Sequence, residues 1–282
     1  MVGFKCIDLS ALPTDTEGFY ATNNQFQKRG PKGFIQVKVL DDDKLYVRVD
    51  LPGVPDDAVH HRVDAVRQKV VFFSAVTFDD GYEKQGVREY SGTAGLGCDC
   101  CEITGVDAKM KDGVLRMILS RVKVKKDHDN KCTNTVPPFT GSISRSSPIY
   151  HNMYLRISYW RCLSIGKSGR RVEEHPFVVK GRKRAYVGEP LDDGGVYFAV
   201  DVPGVGNGDV EVFANESEIN FTAEVKSVFE HDESGRLYLG SVDTSWSTPA
   251  VSLLSHAITG AVNFGVLKVL ITPRPNTGGN NE

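Results

Sequence analysis

Leu45-Tyr46-Val47-Arg48-Val49-Asp50-Leu51-Pro52-Gly53-Val54 recurs 151 positions later, without a gap, as Val196-Tyr197-Phe198-Ala199-Val200-Asp201-Val202-Pro203-Gly204-Val205. In the first copy Leu45, Val47, Val49 and Leu51 share one face, while Tyr46, Arg48 and Asp50 share the other. A period of two over this length predicts a half-buried strand. Pro-Gly then ends it, by removing a ladder donor and permitting a sharp turn. A second echo closes each copy: Asp112-Gly113-Val114-Leu115-Arg116-Met117-Ile118-Leu119 matches Phe264-Gly265-Val266-Leu267-Lys268-Val269-Leu270-Ile271. The two marks keep a nearly constant separation, as in a duplicated domain, since solenoid units are shorter, roughly 20–50 residues.

Around these marks Val59–Val63 and Val66–Val76 are further strand candidates, rich in β-branched and aromatic residues. Lys84–Thr93 is a weaker one, and Asp107–Val122 closes the unit with a turn at Lys111-Asp112-Gly113. No stretch of the unit reads as a helix. Short strands at regular spacing predict an all-β chain of two tandem immunoglobulin-like β-sandwiches. The organisation expected is a polar arm over 1–30, a first domain over 31–126, a basic linker over 127–180, a second domain over 181–274 and a disordered tail over 275–282. Within the linker, Tyr150–Ile165 is aromatic and apolar, and reads either as an additional strand or as an amphipathic segment docking on a domain.

The 282 residues carry a net charge of −2, so no global field draws the chain to nucleic acid or acidic lipid. The distribution is uneven: from Arg121 to Arg184 there are 15 Lys/Arg against 4 Asp/Glu. No apolar run approaches the roughly 20 residues that span a bilayer, and the N-terminus lacks the apolar core of a signal peptide. Six cysteines, three of them crowded at Cys98, Cys100 and Cys101, favour free thiols in a reducing compartment. The expected location is the cytosol or nucleus.

A strand ending in Asp-Leu-Pro-Gly-Val, paired with a closing Asp-Gly-Val-Leu strand, resembles the α-crystallin domain of small heat-shock proteins. The residues that carry the resemblance are Asp50, Pro52, Gly53, Gly113, Val114 and Leu115, then Asp201, Pro203, Gly204, Gly265, Val266 and Leu267. The whole chain is similar to the plant group with tandem α-crystallin-like domains, which includes chaperone-like proteins and nuclear subunits of complexes that support DNA demethylation. Two departures stand out. The family places an arginine after the Ser-Gly turn, where it pairs across a dimer interface, but Ser91-Gly92 leads into Thr93-Ala94-Gly95-Leu96-Gly97 and the second copy also lacks it. The family's C-terminal Ile-X-Ile tail is missing after Ile271-Thr272-Pro273. Both argue against large shells and for two domains that pair with each other, helped by an effective concentration near the millimolar range.

No cluster carries a strong catalytic signature. Cys98, Cys100 and Cys101 are the weak metal candidates, with His60 or His61 as a further ligand. A structural zinc site draws pairs from two knuckles, and no second pair stands elsewhere, so free thiols in a loop is the simpler reading. His60 and His61 point to opposite faces of a strand, which predicts one on the surface and one partly buried. There is no Gly-X-Ser-X-Gly elbow and no glycine-rich loop opening a helix, so neither an enzyme nor a cofactor is expected. Lys180, Arg182, Lys183 and Arg184 form a compact basic cluster, either a nuclear-import or phosphate-contacting patch or a solvated charge run. It lacks the stacking platform or groove-reading helix of direct nucleic-acid binding.

The expectation is therefore a non-enzymatic protein binder. Client or partner proteins would add to sheet edges or lie in grooves between sheets, in an intramolecular pair or small homo-oligomer with no membrane role. By resemblance the activity is ATP-independent and chaperone-like; the alternative is a scaffold subunit of a nuclear, chromatin-type complex.

Overall fold

A computed structural model describes residues 24, 26–30, 34–66, 68–96, 100–124, 139–141, 174–215, 218–226, 229–232, 235–243 and 256–274. Tyr150–Ile165, Cys98, the tail over 275–282 and most of the polar arm lie outside them. Every regular element among the described residues is a strand, so the chain is all-β.

In the first half, β2 (Ile35–Val39), β3 (Leu45–Asp50), β8 (Val114–Lys123) and β7 (Cys101–Lys111) form one antiparallel sheet in the order β2-β3-β8-β7. The opposing sheet holds β4 (Val59–Val63), β5 (Val70–Val76) and β6 (Glu89–Gly95). In the second half, β11 (Tyr186–Pro190), β12 (Val196–Asp201), β17 (Val266–Pro273) and β16 (His256–Asn263) repeat the first sheet as β11-β12-β17-β16. The last three, β13 (Val210–Ala214), β14 (Glu218–Glu224) and β15 (Leu237–Asp243), repeat the second. The recurring phrases are neighbours in both copies: Val49 faces Leu115 across β3–β8, and Val200 faces Leu267 across β12–β17. Their inward residues centre two apolar cores.

Each of these three-strand sets gains a further strand from the segment ahead of the other half. β1 (Gln27–Arg29), ahead of the first half, pairs antiparallel with β15 of the second. β10 (Val178–Lys180), ahead of the second half, pairs with β6 of the first, whose same edge also takes β9 (Phe139–Gly141). The exchange is reciprocal in detail. Leu239 N–H donates to Phe26 O and Ser91 N–H to Phe177 O, both at 2.8 Å. Phe26 is buried in the second core, and Phe177 with Val178 in the first. Glycine makes the room: a Cβ on Gly240 would come within 2.4 Å of Phe26, and one on Gly92 within 2.6 Å of Phe177. Burying one such ring stabilises by about 1.5–3 kcal/mol.

Several local expectations change. β3 and β12 are buried on both faces, not half-buried, because the other half covers the side that carries Tyr46, Arg48 and Asp50. The strand expected over Val66–Val76 starts at Val70, after a turn in which Val66 N–H binds the Asp64 carboxylate. The strand expected over Lys84–Thr93 is shifted to Glu89–Gly95, because 77–88 is a long loop used against the other half. His60 and His61 are both exposed on β4, an edge strand. Gln27–Arg29 and Val178–Lys180, expected in arm and linker, are strands because each supplies the open edge of a sheet.

Candidate protein-binding surfaces

The seam between the halves is built from the recurring phrases themselves. Gly53 N–H donates to Phe264 O and Gly204 N–H to Asp112 O, both at 2.8 Å, so each Pro-Gly turn is tied to the Asp-Gly or Phe-Gly turn of the opposite copy. Behind these turns lie two buried carboxylates. Asp201 receives both guanidinium nitrogens of Arg88 at 2.9 and 3.0 Å, and Arg182 at 3.1 Å. Asp50 receives Arg236 at 2.7 Å and is ion-paired with Arg48 at 2.7 Å. Arg88 and Arg236 thus cross from one half to the carboxylate of the other. A cross-interface arginine is present, placed ahead of Gly92 and Gly240 instead of after them. Its sequence signal is Arg88-X-Tyr90-X-Gly92 repeated as Arg236-X-Tyr238-X-Gly240. The two tyrosines bond back to Pro52 O and Pro203 O within their own halves.

A long loop from each half reaches over the outer face of the other. Asp232 accepts from Arg116 at 2.8–2.9 Å and from the Tyr46 hydroxyl. Asp80 accepts from Tyr197 at 3.3 Å and pairs with Lys268. Burial alone would raise the Asp232 pKa, but the Arg48 and Arg116 charges outweigh it and hold the carboxyl below its usual range. Burial, followed by the Asp232 charge, pushes the Tyr46 hydroxyl pKa upward.

His175 and Asn24 occupy matching places at the seam. The His175 ring nitrogen Nε2 lies 2.8 Å from Asp50 O, and Asn24 Nδ2 donates to Asp201 O at 2.6 Å. His175 Nδ1 accepts from Phe177 N–H. Burial, partly opposed by Asp201, lowers the His175 pKa from 6.5 to about 4. The unfolded chain binds this proton first as pH falls, so the contribution is complete above about 6.5 and is lost between there and about 4, up to ~3 kcal/mol. Urea midpoints near neutrality and at about pH 4 should differ less for His175→Asn than for the native protein. Equal acid losses in the two would refute the assignment.

Among the described residues, two pairs of sheet edges lie along the outer sides. In the first half the edges of β4 and β7 face each other, lined by the partly buried Val59, Val63, Val106 and Ala108. In the second, β13 and β16 do the same with Val210, Val212 and Ile258. Phe213 stands exposed on the outer edge of β13. Such edges carry unpaired backbone groups beside apolar slots, the two elements of strand addition.

The other candidate sites are placed differently. Cys100 and Cys101 are buried in the first core with Sγ atoms 3.8 Å apart, and Cys101 begins β7, so these thiols belong to packing more than to a loop. No group of three metal-ligating side chains forms among the described residues. Within the basic cluster Lys180 and Arg184 are exposed, whereas Arg182 is 2% exposed and holds Glu83 and Asp201. Lys180 pairs with Glu89 and Lys183 lies 3.8 Å from Glu174. The cluster is the turn after β10, and its central charge is spent on the seam. Lys167, Arg170 and Arg171, upstream cations of the basic stretch from Arg121 to Arg184, lie outside the described residues.

Paired all-β halves, crossed at their Pro-Gly and Gly-Val-Leu turns, define a protein of the small heat-shock class. The predicted plant small heat shock protein family matches residues 6–274, and the chain belongs to that family. It is also similar to a putative 57 kDa heat shock protein of Arabidopsis thaliana, at 26% identity over 70% of this chain and 49% of that one. A mitochondrial heat shock 22 kDa protein of Glycine max is 27% identical over 31% of this chain and 40% of its own. The chain therefore spans about half the length of the curated relatives it matches. No described helix is long and apolar enough to cross a membrane.

Proposed function

We propose that the chain binds non-native or extended polypeptides without nucleotide hydrolysis and without chemistry of its own, acting in the cytosol or nucleus. The observation that carries this reading is the reciprocal exchange of β1 and β10. It occupies the β6 and β15 edges and leaves β4, β7, β13 and β16 as sheet edges among the described residues. Val106 and Ala108 flank Asp107, and Val210 and Val212 flank Glu211, at the two-residue spacing a strand presents. Because each half already serves as the other's partner, the unit at work is a single chain or a few chains, not a shell.

The test is heat-induced aggregation of an unrelated client, followed by light scattering with no ATP present. Suppression is expected at stoichiometric ratios. Val59→Asp and Val212→Asp, which put charge into each groove while leaving the seam alone, should weaken it several-fold. Unaltered suppression in both variants would remove the grooves from the mechanism, and a light-scattering mass of a large assembly would remove the paired-unit reading. The nuclear scaffold alternative draws less support, since the cations that motivated it include a buried seam residue, Arg182.

A further inference from the structure

The two loops that cross the seam have equal length in sequence but do not do equal work. Counted from the ends of β5 and β14, Gly81 stands where Phe229 stands in the other loop. Phe229 covers its sheet: the Arg116 guanidinium carbon lies 3.9 Å from the ring centroid and Lys109 Nζ 5.3 Å from it. Lys109 and Arg116 are register partners across β7–β8, as Ala261 and Lys268 are across β16–β17. Lys268 also takes the carboxylate of Asp80, as Arg116 takes that of Asp232. The cation and its acid are thus reproduced on the second sheet, but the ring is not: a Cβ on Gly81 would meet nothing within 4 Å. In its place is a cavity of about 430 Å³ under the 77–86 loop, floored by Gly260, Ala261 and Lys268, with Phe78, Tyr82 and Phe264 around it. Phe78 is 72% exposed. The volume lies within the range of ligand pockets, about 300–1,000 Å³.

We propose that this cavity receives an aromatic side chain of a bound polypeptide, its ring lying over Lys268 as Phe229 lies over Arg116. The attraction is that of an ammonium for an aromatic face, and the small side chain of Ala261, the register partner of Lys268, leaves the ring its space. The inference deepens the protein-binding reading above and rests on it.

Amide NMR spectra of the full chain should be titrated with a blocked Gly-Ser-Phe-Ser-Gly peptide and with its alanine analogue. Saturable shifts at Gly260, Ala261 and Lys268 are expected from the phenylalanine peptide, with at least several-fold weaker binding of the analogue. Ala261→Trp, which fills the cavity, should abolish them. Lys268→Met keeps the volume, should weaken them, and serves if the first variant fails to fold. Equal response to both peptides, or no shift at these residues, overturns the proposal. A protein that suppresses client aggregation yet shows no phenylalanine-specific shifts loses the cavity and keeps the general reading. Phenylalanine-specific shifts without suppression do the reverse.

Discussion

Asp201→Ala should destabilise the whole chain by about 3–5 kcal/mol, the cost of breaking a buried ion pair from one side. The carboxylate is shared by Arg88 and Arg182, whose side chains are only 4% and 3% exposed. Truncation leaves Arg88 charged and desolvated, whereas Arg182 keeps Glu83. Arg88→Met should cost less, because Asp201 retains Arg182. Asp50→Ala should match Asp201→Ala in size, since it strands Arg236 in the same way. The decisive feature is where the loss appears. Arg88 belongs to the first half and Asp201 to the second, so hydrogen exchange in urea should show peptides of both halves opening at one lowered midpoint. Two midpoints, with only the second half shifted, would mean that the halves fold separately and the exchange is not a seat of stability.

The seam was only half legible in the sequence, and the reason is physical. Period two identifies β3 and β12, and Pro-Gly identifies their ends, because both signals are local. The same local signal mislabels the Tyr46–Arg48–Asp50 face as solvated. Tyr, Arg and Asp are what an exposed strand face carries, and only long-range pairing with Asp232 and Arg236 reveals it as buried. The exchanged strands are weaker still. Gln27–Arg29 and Val178–Lys180 are three residues each, too short for periodicity, and polar enough to pass for linker. The repetition of the entire phrase Arg-X-Tyr-X-Gly at a shift of 148 does mark them indirectly, since its glycines exist to admit Phe26 and Phe177. The cavity was not legible, because it comes from a ring that one loop has and the other lacks.

Gly113→Ala and Gly265→Ala should each cost at least about 3 kcal/mol, well beyond the roughly 1 kcal/mol of a glycine replaced at positive φ alone. Both glycines sit at φ near +70, at 70° and 68°. A Cβ on Gly113 would lie 2.3 Å from Phe264 O, and one on Gly265 2.4 Å from Asp112 O. Those oxygens are backbone atoms of the opposite half and accept the Gly53 and Gly204 N–H groups, so moving them breaks the ties that join the halves. Gly194→Ala is the control: its φ is +81°, yet its Cβ would meet nothing within 4 Å. The difference between the seam variants and the control isolates the close approach from backbone strain. If Gly113→Ala shifted the urea midpoint no more than Gly194→Ala, the turns would not be in contact. If instead the gap is as large as argued, Asp-Gly-Val-Leu keeps its glycine for the crossing as well as for the turn. The duplicated phrase then encodes the join between the copies along with the fold of each.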